Sequence, residues 1–251
     1  MSGKIVAIAG GGGIARATAR RLGAGGASVV VGDRSADAAA SAAKSAVDSG
    51  GKAAAVEFDI SDDASVGTFI DFAVEKFGRI DALFNVAADV SPQNLAADTD
   101  ALDIDLDVWR HTLDVNLTGF LLTIRHALPH LIANGGGPIL NTISGAAYMG
   151  EPQRVAYGVS KAGITALTRH VARRWGKDGI RCNAISPGLV LTESAIAAVG
   201  QDALDGFLET VPSQRHGSPD DIAAMAALLL SSDGEFVNGQ AIVVDGGLLM
   251  R

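Results

Sequence analysis

Seven short apolar runs punctuate the chain, at about 4–9, 28–33, 53–58, 81–86, 138–143, 180–186 and 240–245. Between them lie longer, alanine-rich segments whose apolar positions recur at helical period. Repeated strand, helix, strand units predict a parallel sheet covered on both faces. The pattern therefore predicts an α/β, doubly wound (Rossmann) fold with seven parallel strands. In such a fold, ligands sit beyond the carboxyl ends of the strands. No Pro/Ser-rich linker or shift in composition divides the chain, so residues 1–251 are read as one domain.

The longest apolar run, Ile222 to Leu230, falls far short of the ~20 residues that span a bilayer. The opening Lys4–Ala9 stretch is too short, and too soon followed by glycines, to serve as a signal segment. A soluble cytoplasmic protein without membrane partners is the expectation. Twenty Lys and Arg against 28 Asp and Glu give a net charge of −8, with no basic face for a nucleic acid. The one cysteine, Cys182, excludes an internal disulfide and a cysteine-based zinc cluster, and inside an apolar strand it reads as a buried, inert thiol. Thirty-one glycines are more than such a chain needs for turns, about 12% against a usual ~7%.

Several of those glycines follow the first strand, in Gly10-Gly11-Gly12-Gly13-Ile14-Ala15. Read as G-x-G-x-x-A between a strand and a helix, they let backbone approach a pyrophosphate at a helix N-terminus. The second strand ends at Asp33, where a carboxylate accepts the ribose hydroxyls of NAD and repels the 2′-phosphate of NADP. Asp33 also suits an ordinary helix cap, and the adjacent Arg34 could greet a phosphate, so NAD is favoured with NADP left open. Asp59-Ile60 and Asn85-Val86-Ala87-Ala88 end the third and fourth strands and leave room for a flat ligand.

The sharpest constellation lies in the second half. Ser144 follows the fifth strand, Tyr157 stands 13 residues on, and Lys161 four beyond that. On a helix, positions i and i+4 share a face, so phenol and ammonium can address one cleft. A phenol is a poor base at neutral pH, and a nearby cation favours its ionised form.

With these residues in view, the sequence resembles the short-chain dehydrogenase/reductase family over essentially its whole length. Beyond Ser144, Tyr157 and Lys161, the resemblance rests on Trp109 through Asn116, on Asn183 through Thr192, and on Asn238 through Gly247. It implies hydride transfer between a nicotinamide cofactor and a small-molecule alcohol or ketone. Ser144 would hydrogen-bond the substrate oxygen and Tyr157 would exchange its proton. Lys161 would lower the tyrosine pKa and hold the nicotinamide ribose, and Asn116 would anchor a water leading to solvent. For the cofactor, the resemblance implies Gly10, Gly12, Gly13 and Ile14 at the pyrophosphate, Asp33 and Arg34 at the ribose, and Asp59 and Ile60 at the adenine. It adds Asn85 and Ala87 on the adenosine side and Pro187, Gly188, Val190 and Thr192 at the nicotinamide end.

Two departures from the family pattern stand out. Ala9 and Ala15 replace a threonine and a glycine in a first loop that is one residue shorter, and Asn-Asn-Ala-Gly becomes Asn85-Val86-Ala87-Ala88. The missing threonine hydroxyl is expected to loosen the loop from the fourth strand. No metal is expected: the Asp98 to Asp107 run lacks the glycine and glutamate of a calcium loop and reads as capping before the Trp109 helix, and His126 and His130 flank Pro129 without a glutamate. Arg169, Arg173 and Arg174 read as a surface or subunit-contact stripe.

Residues 189–214 fall where this family places its substrate lid and contain no Lys or Arg. Their Ile196, Val199, Leu204, Phe207, Leu208 and Val211, in two short helical stretches, point to a fairly apolar secondary alcohol or ketone. Arg154 is the one nearby cation that could meet a substrate carboxylate. The alternatives are an NADPH-dependent 3-oxoacyl-carrier-protein reductase, against which Asp33 counts, and a non-catalytic NAD(P)-binding sensor or scaffold, against which the four catalytic positions count. The resemblance also implies a homo-oligomer, a tetramer being favoured, and the helix from Trp109 to about Leu128 is apolar on more than one face.

Overall fold

The computed structural model describes residues 1–198 and 201–250, and in it the first apolar run forms β1 (Ile5–Ala9), buried along its whole length. Successive strand side chains point to opposite faces. Ile5, Ala7 and Ala9 accordingly enter one core, and Val6 and Ile8 enter another. The chain then runs through α1 (Gly13–Ala24), β2 (Ser28–Asp33), α2 (Ala36–Asp48), β3 (Lys52–Glu57), α3 (Asp63–Phe77) and β4 (Ala82–Asn85). Next come α4 (Pro92–Ala97), α5 (Leu106–Leu113), α6 (Gly119–Ala133), β5 (Gly137–Thr142), α7 (Ala146–Met149) and α8 (Val155–Trp175). The remainder is β6 (Ile180–Pro187), α9 (Glu193–Ala198), α10 (Gln201–Thr210), α11 (Pro219–Leu230) and β7 (Ala241–Val244).

All seven strands pair in parallel, in the order β3-β2-β1-β4-β5-β6-β7. The order reverses at β1, which lies between β2 and β4 and opens a crevice beyond their carboxyl ends. One face of the sheet is covered by α3, α6 and α8, through Phe69, Phe120, Ile124 and Ile164. The other is covered by α1, α2 and α11, through Leu22, Ala42, Ile222 and Leu229. Each of the seven predicted runs holds a strand, with ends displaced by no more than one residue.

The helix predicted from Trp109 to Leu128 is one rod with a defect. Between α5 and α6 the segment Asp114–Thr118 winds as a π-helix, a local widening that is frequent at functional sites. Residues 189–214 do carry two short helices, α9 and α10. Leu204 and Val211 are buried there, Ile196 is 53% exposed, and Val199 lies outside the described residues. The segment is pinched at its base by a parallel bridge between Val190 and Gly217. Among the described residues, no helix is long and apolar enough to cross a membrane.

Candidate active site

A cleft of about 390 Å³ lies at the reversal point. Gly10, Gly12, Gly13, Ile14, Asp33, Arg34, Asp59, Ile60, Ala87 and Thr192 all line it, with Gly11 and Val115 from the same motifs and with Phe58 and Asp89, which the sequence motifs did not single out. Gly10 is held at φ +121°, and a Cβ there would meet the Ala87 nitrogen at 2.7 Å, so only glycine fits. Gly12 is the opposite case: it begins α1 without any side-chain cap, and a Cβ on it would meet nothing within 4 Å. The first turn of α1 thus has no side-chain cap and open space beside Gly12, an arrangement that can accept an anion.

The loop is tied down without a threonine. Both Val86 and Ala87 donate backbone hydrogen bonds to the Ala9 carbonyl, at 2.9 and 2.8 Å, which join the loop to the end of β4 through the main chain. On the other side, Asp33 Oδ2 accepts from the Gly11 N–H at 2.6 Å, while Oδ1 accepts from Ser35 at 2.8 Å. Asp59 accepts from the amide and hydroxyl of Ser61, which hold its carboxyl below the usual carboxylate range.

The Asn85 side chain does not face the cleft. The residue occupies the last position of a central strand with its side chain turned into the core, where Nδ2 donates to Asn141 Oδ1 at 3.0 Å and Oδ1 accepts from Thr123 at 2.8 Å. With both ends of the carboxamide used and no exposed surface, that side chain is not part of the cleft. Val190 is likewise packed into the core. Gly188 borders a separate cavity of about 230 Å³ with Phe207, His216 and Asp245, and Pro187 ends β6 just before it.

Further along the carboxyl edge, Ser144 faces the Tyr157 hydroxyl and favours its ionised form. Tyr157 stands in the first turn of α8, and Lys161 one turn later is 2% exposed. The Lys161 Nζ donates to the Thr142 carbonyl at 3.1 Å and lies 5.6 Å from the Tyr157 ring centre and 5.4 Å from that of Phe120. Burial without an anionic partner lowers the Lys161 pKa to about 7. Burial likewise pushes the Tyr157 phenol above its ordinary value, against the Ser144 hydroxyl and the Arg154 charge, with Glu151 adding to the push. The depressed phenol expected beside Lys161 is therefore not a property of the protein alone, because desolvation weakens the very charge that would depress it.

Asn116 sits in the π-helical segment, fully buried, its Oδ1 accepting from the Asp89 amide at 2.9 Å and its Nδ2 left without a protein partner. Arg154 forms an ion pair with Glu151. His126 pairs with Asp63 at 2.9 Å. Among the described residues, no three His, Cys, Asp or Glu side chains gather as they would around a metal ion. Burial drives the Cys182 thiol up to about 12.

The acidic run holds a residue that sequence reasoning misplaced. Asp105 does cap α5, accepting from Asp107, but Asp98 turns the other way, and its carboxylate accepts from the backbone amides of Ala156 and Tyr157. Its partners lie almost sixty residues downstream, which no local spacing signals.

The profile of the family described as enoyl-(acyl carrier protein) reductase matches residues 8–249. The 7alpha-hydroxysteroid dehydrogenase of Bacteroides fragilis is 35% identical over 249 residues, covering 99% of this chain and 95% of that protein. The 2,5-dichloro-2,5-cyclohexadiene-1,4-diol dehydrogenase of Sphingobium indicum is 38% identical over 98% of this chain and 97% of its own. Among solved structures, levodione reductase superposes with a TM-score of 0.90 at 30% identity, over 98% of this chain and 97% of that one. Fold, residue pattern and relatives agree, and the chain belongs to the short-chain dehydrogenase/reductase family of nicotinamide-dependent oxidoreductases acting on alcohols and ketones.

Proposed function

We propose that this protein is an NAD-dependent dehydrogenase of a fairly apolar secondary alcohol or the corresponding ketone, most naturally a ring-borne one, with Tyr157 exchanging the proton. The observation that carries this reading is the buried Lys161 ammonium, held by the Thr142 carbonyl at the end of β5 and 5.6 Å from the Tyr157 ring, with Ser144 facing the Tyr157 hydroxyl. The ring-borne substrate class draws on the relatives, which are named for a hydroxysteroid, a cyclohexadienediol and, in Sinomonas cyclohexanicum, a hydroxycyclohexanecarboxylate.

The residues present fit a dinucleotide. Uncapped amides and the open Gly12 position suit its pyrophosphate, and Asp33 suits its ribose hydroxyls. Asp33, Asp59 and Asp89 face the cleft against the single cation Arg34, a field that disfavours the extra phosphate of NADP. When bound, the cofactor supplies the carbon that gives or takes the hydride, and in its oxidised form a positive charge. The chain supplies the rest. Ser144 donates a hydrogen bond to the substrate oxygen and holds it against Tyr157. The ionised Tyr157 oxygen then takes the alcohol proton, and in the reverse direction the Tyr157 hydroxyl gives its proton to the ketone oxygen. Lys161 favours the ionised phenol whenever it carries its charge. Asn116, with Nδ2 unpartnered, is placed to hold a water at the start of a path to solvent. The lid over residues 189–214, without a cation, selects against phosphorylated and acyl-carrier substrates.

A single-domain homo-oligomer belongs to this reading. Leu121 and Ile132 are exposed on α6 and, with Leu128, Leu167 and Trp175, line a groove between α6 and α8 that a second copy would cover. Turnover of cyclic secondary alcohols, read as NADH absorbance with NADP in a parallel arm, tests the whole reading. Tyr157→Phe should lower kcat by about 10³, within the usual range for a general acid–base. Activity confined to phosphorylated substrates, or parental turnover in Tyr157→Phe, would overturn it.

A further inference from the structure

The helix that carries Tyr157 does not begin as helices usually do. Its N-cap residue, Arg154, supplies no capping side chain and is itself left-handed, at φ 64° and ψ 46°. The four amides that open the helix are all taken by two residues of the loop after α4. Arg154 donates to the Asp98 carbonyl at 2.9 Å, Val155 to the Thr99 carbonyl at 3.1 Å, Ala156 to Asp98 Oδ1 at 2.9 Å and Tyr157 to Asp98 Oδ2 at 2.8 Å. Asp98 is 2% exposed. Burying a carboxylate is costly unless its hydrogen bonds are made, and here both oxygens are spent on neighbouring amides of one helical turn.

A serine or aspartate at position 154 would satisfy such amides locally. A remote carboxylate does something more: it fixes the axial position and rotation of the first turn relative to the loop at residues 98–105. We propose that Asp98 is a positioning residue for the reaction, setting the reach of the Tyr157 phenol toward Ser144 and the substrate oxygen without touching substrate or cofactor. The proposal rests on the reading of Tyr157 as the proton-exchanging group. Displacing a reacting group by about 1 Å costs roughly 10²-fold in rate, so the loss should fall on kcat rather than on cofactor binding.

Asp98→Asn is the informative variant, because an amide accepts at one oxygen and presents its NH₂ to the second backbone amide. The set to measure is the parent, Asp98→Asn, Tyr157→Phe and the double variant, each for kcat, cofactor affinity by NADH fluorescence, and thermal midpoint. The expected result is a kcat lowered about 10- to 100-fold in Asp98→Asn, cofactor affinity within about threefold of the parent, and no further loss when Asp98→Asn is added to Tyr157→Phe, as for residues that act as a unit. A folded Asp98→Asn with kcat within twofold of the parent overturns the proposal. So does a cofactor affinity that falls in step with kcat, or a full additional loss in the Tyr157→Phe background. Should Asp98→Asn fail to fold, Asp98→Glu carries the test under the same criteria with an expected loss of about 3- to 10-fold, since the charge survives and only the reach changes. Parental kcat in Tyr157→Phe would instead remove the reading of Tyr157 itself, a result distinct from an intact Asp98→Asn beside an inactive Tyr157→Phe.

Discussion

Asp33, at the end of β2, accepts a 2.6 Å hydrogen bond from the Gly11 amide in the glycine loop. The loop is folded against the acid that is proposed to read the ribose, so pyrophosphate cradle and ribose acceptor form one unit. Replacing Asp33 by Ser removes the charge and leaves one shorter-reaching oxygen in place of two. The NAD to NADP ratio of kcat/KM should then fall at least tenfold, in line with about 1.5–3 kcal/mol for a hydrogen bond to a charged group. Steady-state kinetics with the two cofactors measure it, and an unchanged ratio would show that selection lies elsewhere.

Gly10 and Gly12 should separate folding from binding. Gly10→Ala places a Cβ 2.7 Å from the Ala87 nitrogen at a positive φ, and should lower stability by about 2–4 kcal/mol. Gly12→Ala meets no protein atom within 4 Å, so its melting temperature should stay near the parent's while NADH affinity drops at least fivefold. Parallel losses in both variants would contradict the open cradle.

Lys161 makes stability depend on pH. An unfolded lysine titrates near 10.4, whereas burial brings Lys161 to about 7. Between those values the unfolded chain binds the extra proton, so stability rises with pH. Over the full interval the effect is on the order of 5 kcal/mol, at about 1.4 kcal/mol per pH unit. It is best read from pH 7 to 8.5 in denaturant titrations of cofactor-free protein. Above about pH 9 the raised Cys182 and Tyr157 groups act with the opposite sign, since the unfolded chain then loses protons that the folded one keeps. Lys161→Met should flatten the rise, and a slope surviving in that variant would assign it to another group.

The exposed stripe on α6 gives a prediction about assembly. Leu121 is 48% exposed and Ile132 36%. Leu121→Glu combined with Ile132→Lys should turn an oligomer into a monomer-sized particle in light scattering. Persistence of the larger particle would move the contact elsewhere.

Much of this molecule was legible in its sequence because the signals are local. Seven apolar runs gave seven strands, since a strand buried on both faces leaves no other pattern, and the glycine loop and Asp33 line one cleft because each immediately follows a strand. What escaped depends on contacts distant in sequence. Asn85 looks like any polar residue at a strand end, yet its partners Thr123 and Asn141 come from α6 and β5. Asp98 reads as one acid among several, and only the folded chain shows that it reaches α8. The titration of Lys161 was equally hidden, because spacing reveals that a lysine is near a tyrosine but not that it is dry.

The pinch between Val190 and Gly217 has one more consequence. Leu191 donates to the Gly217 carbonyl at 2.9 Å and Gly217 to the Leu189 carbonyl at 3.2 Å, so the two ends of the intervening stretch are held side by side. A loop clasped at its root can change length cheaply, since doubling it adds only about 0.6 kcal/mol of closure entropy. Insertions in this stretch should therefore leave the register of the sheet beneath unchanged.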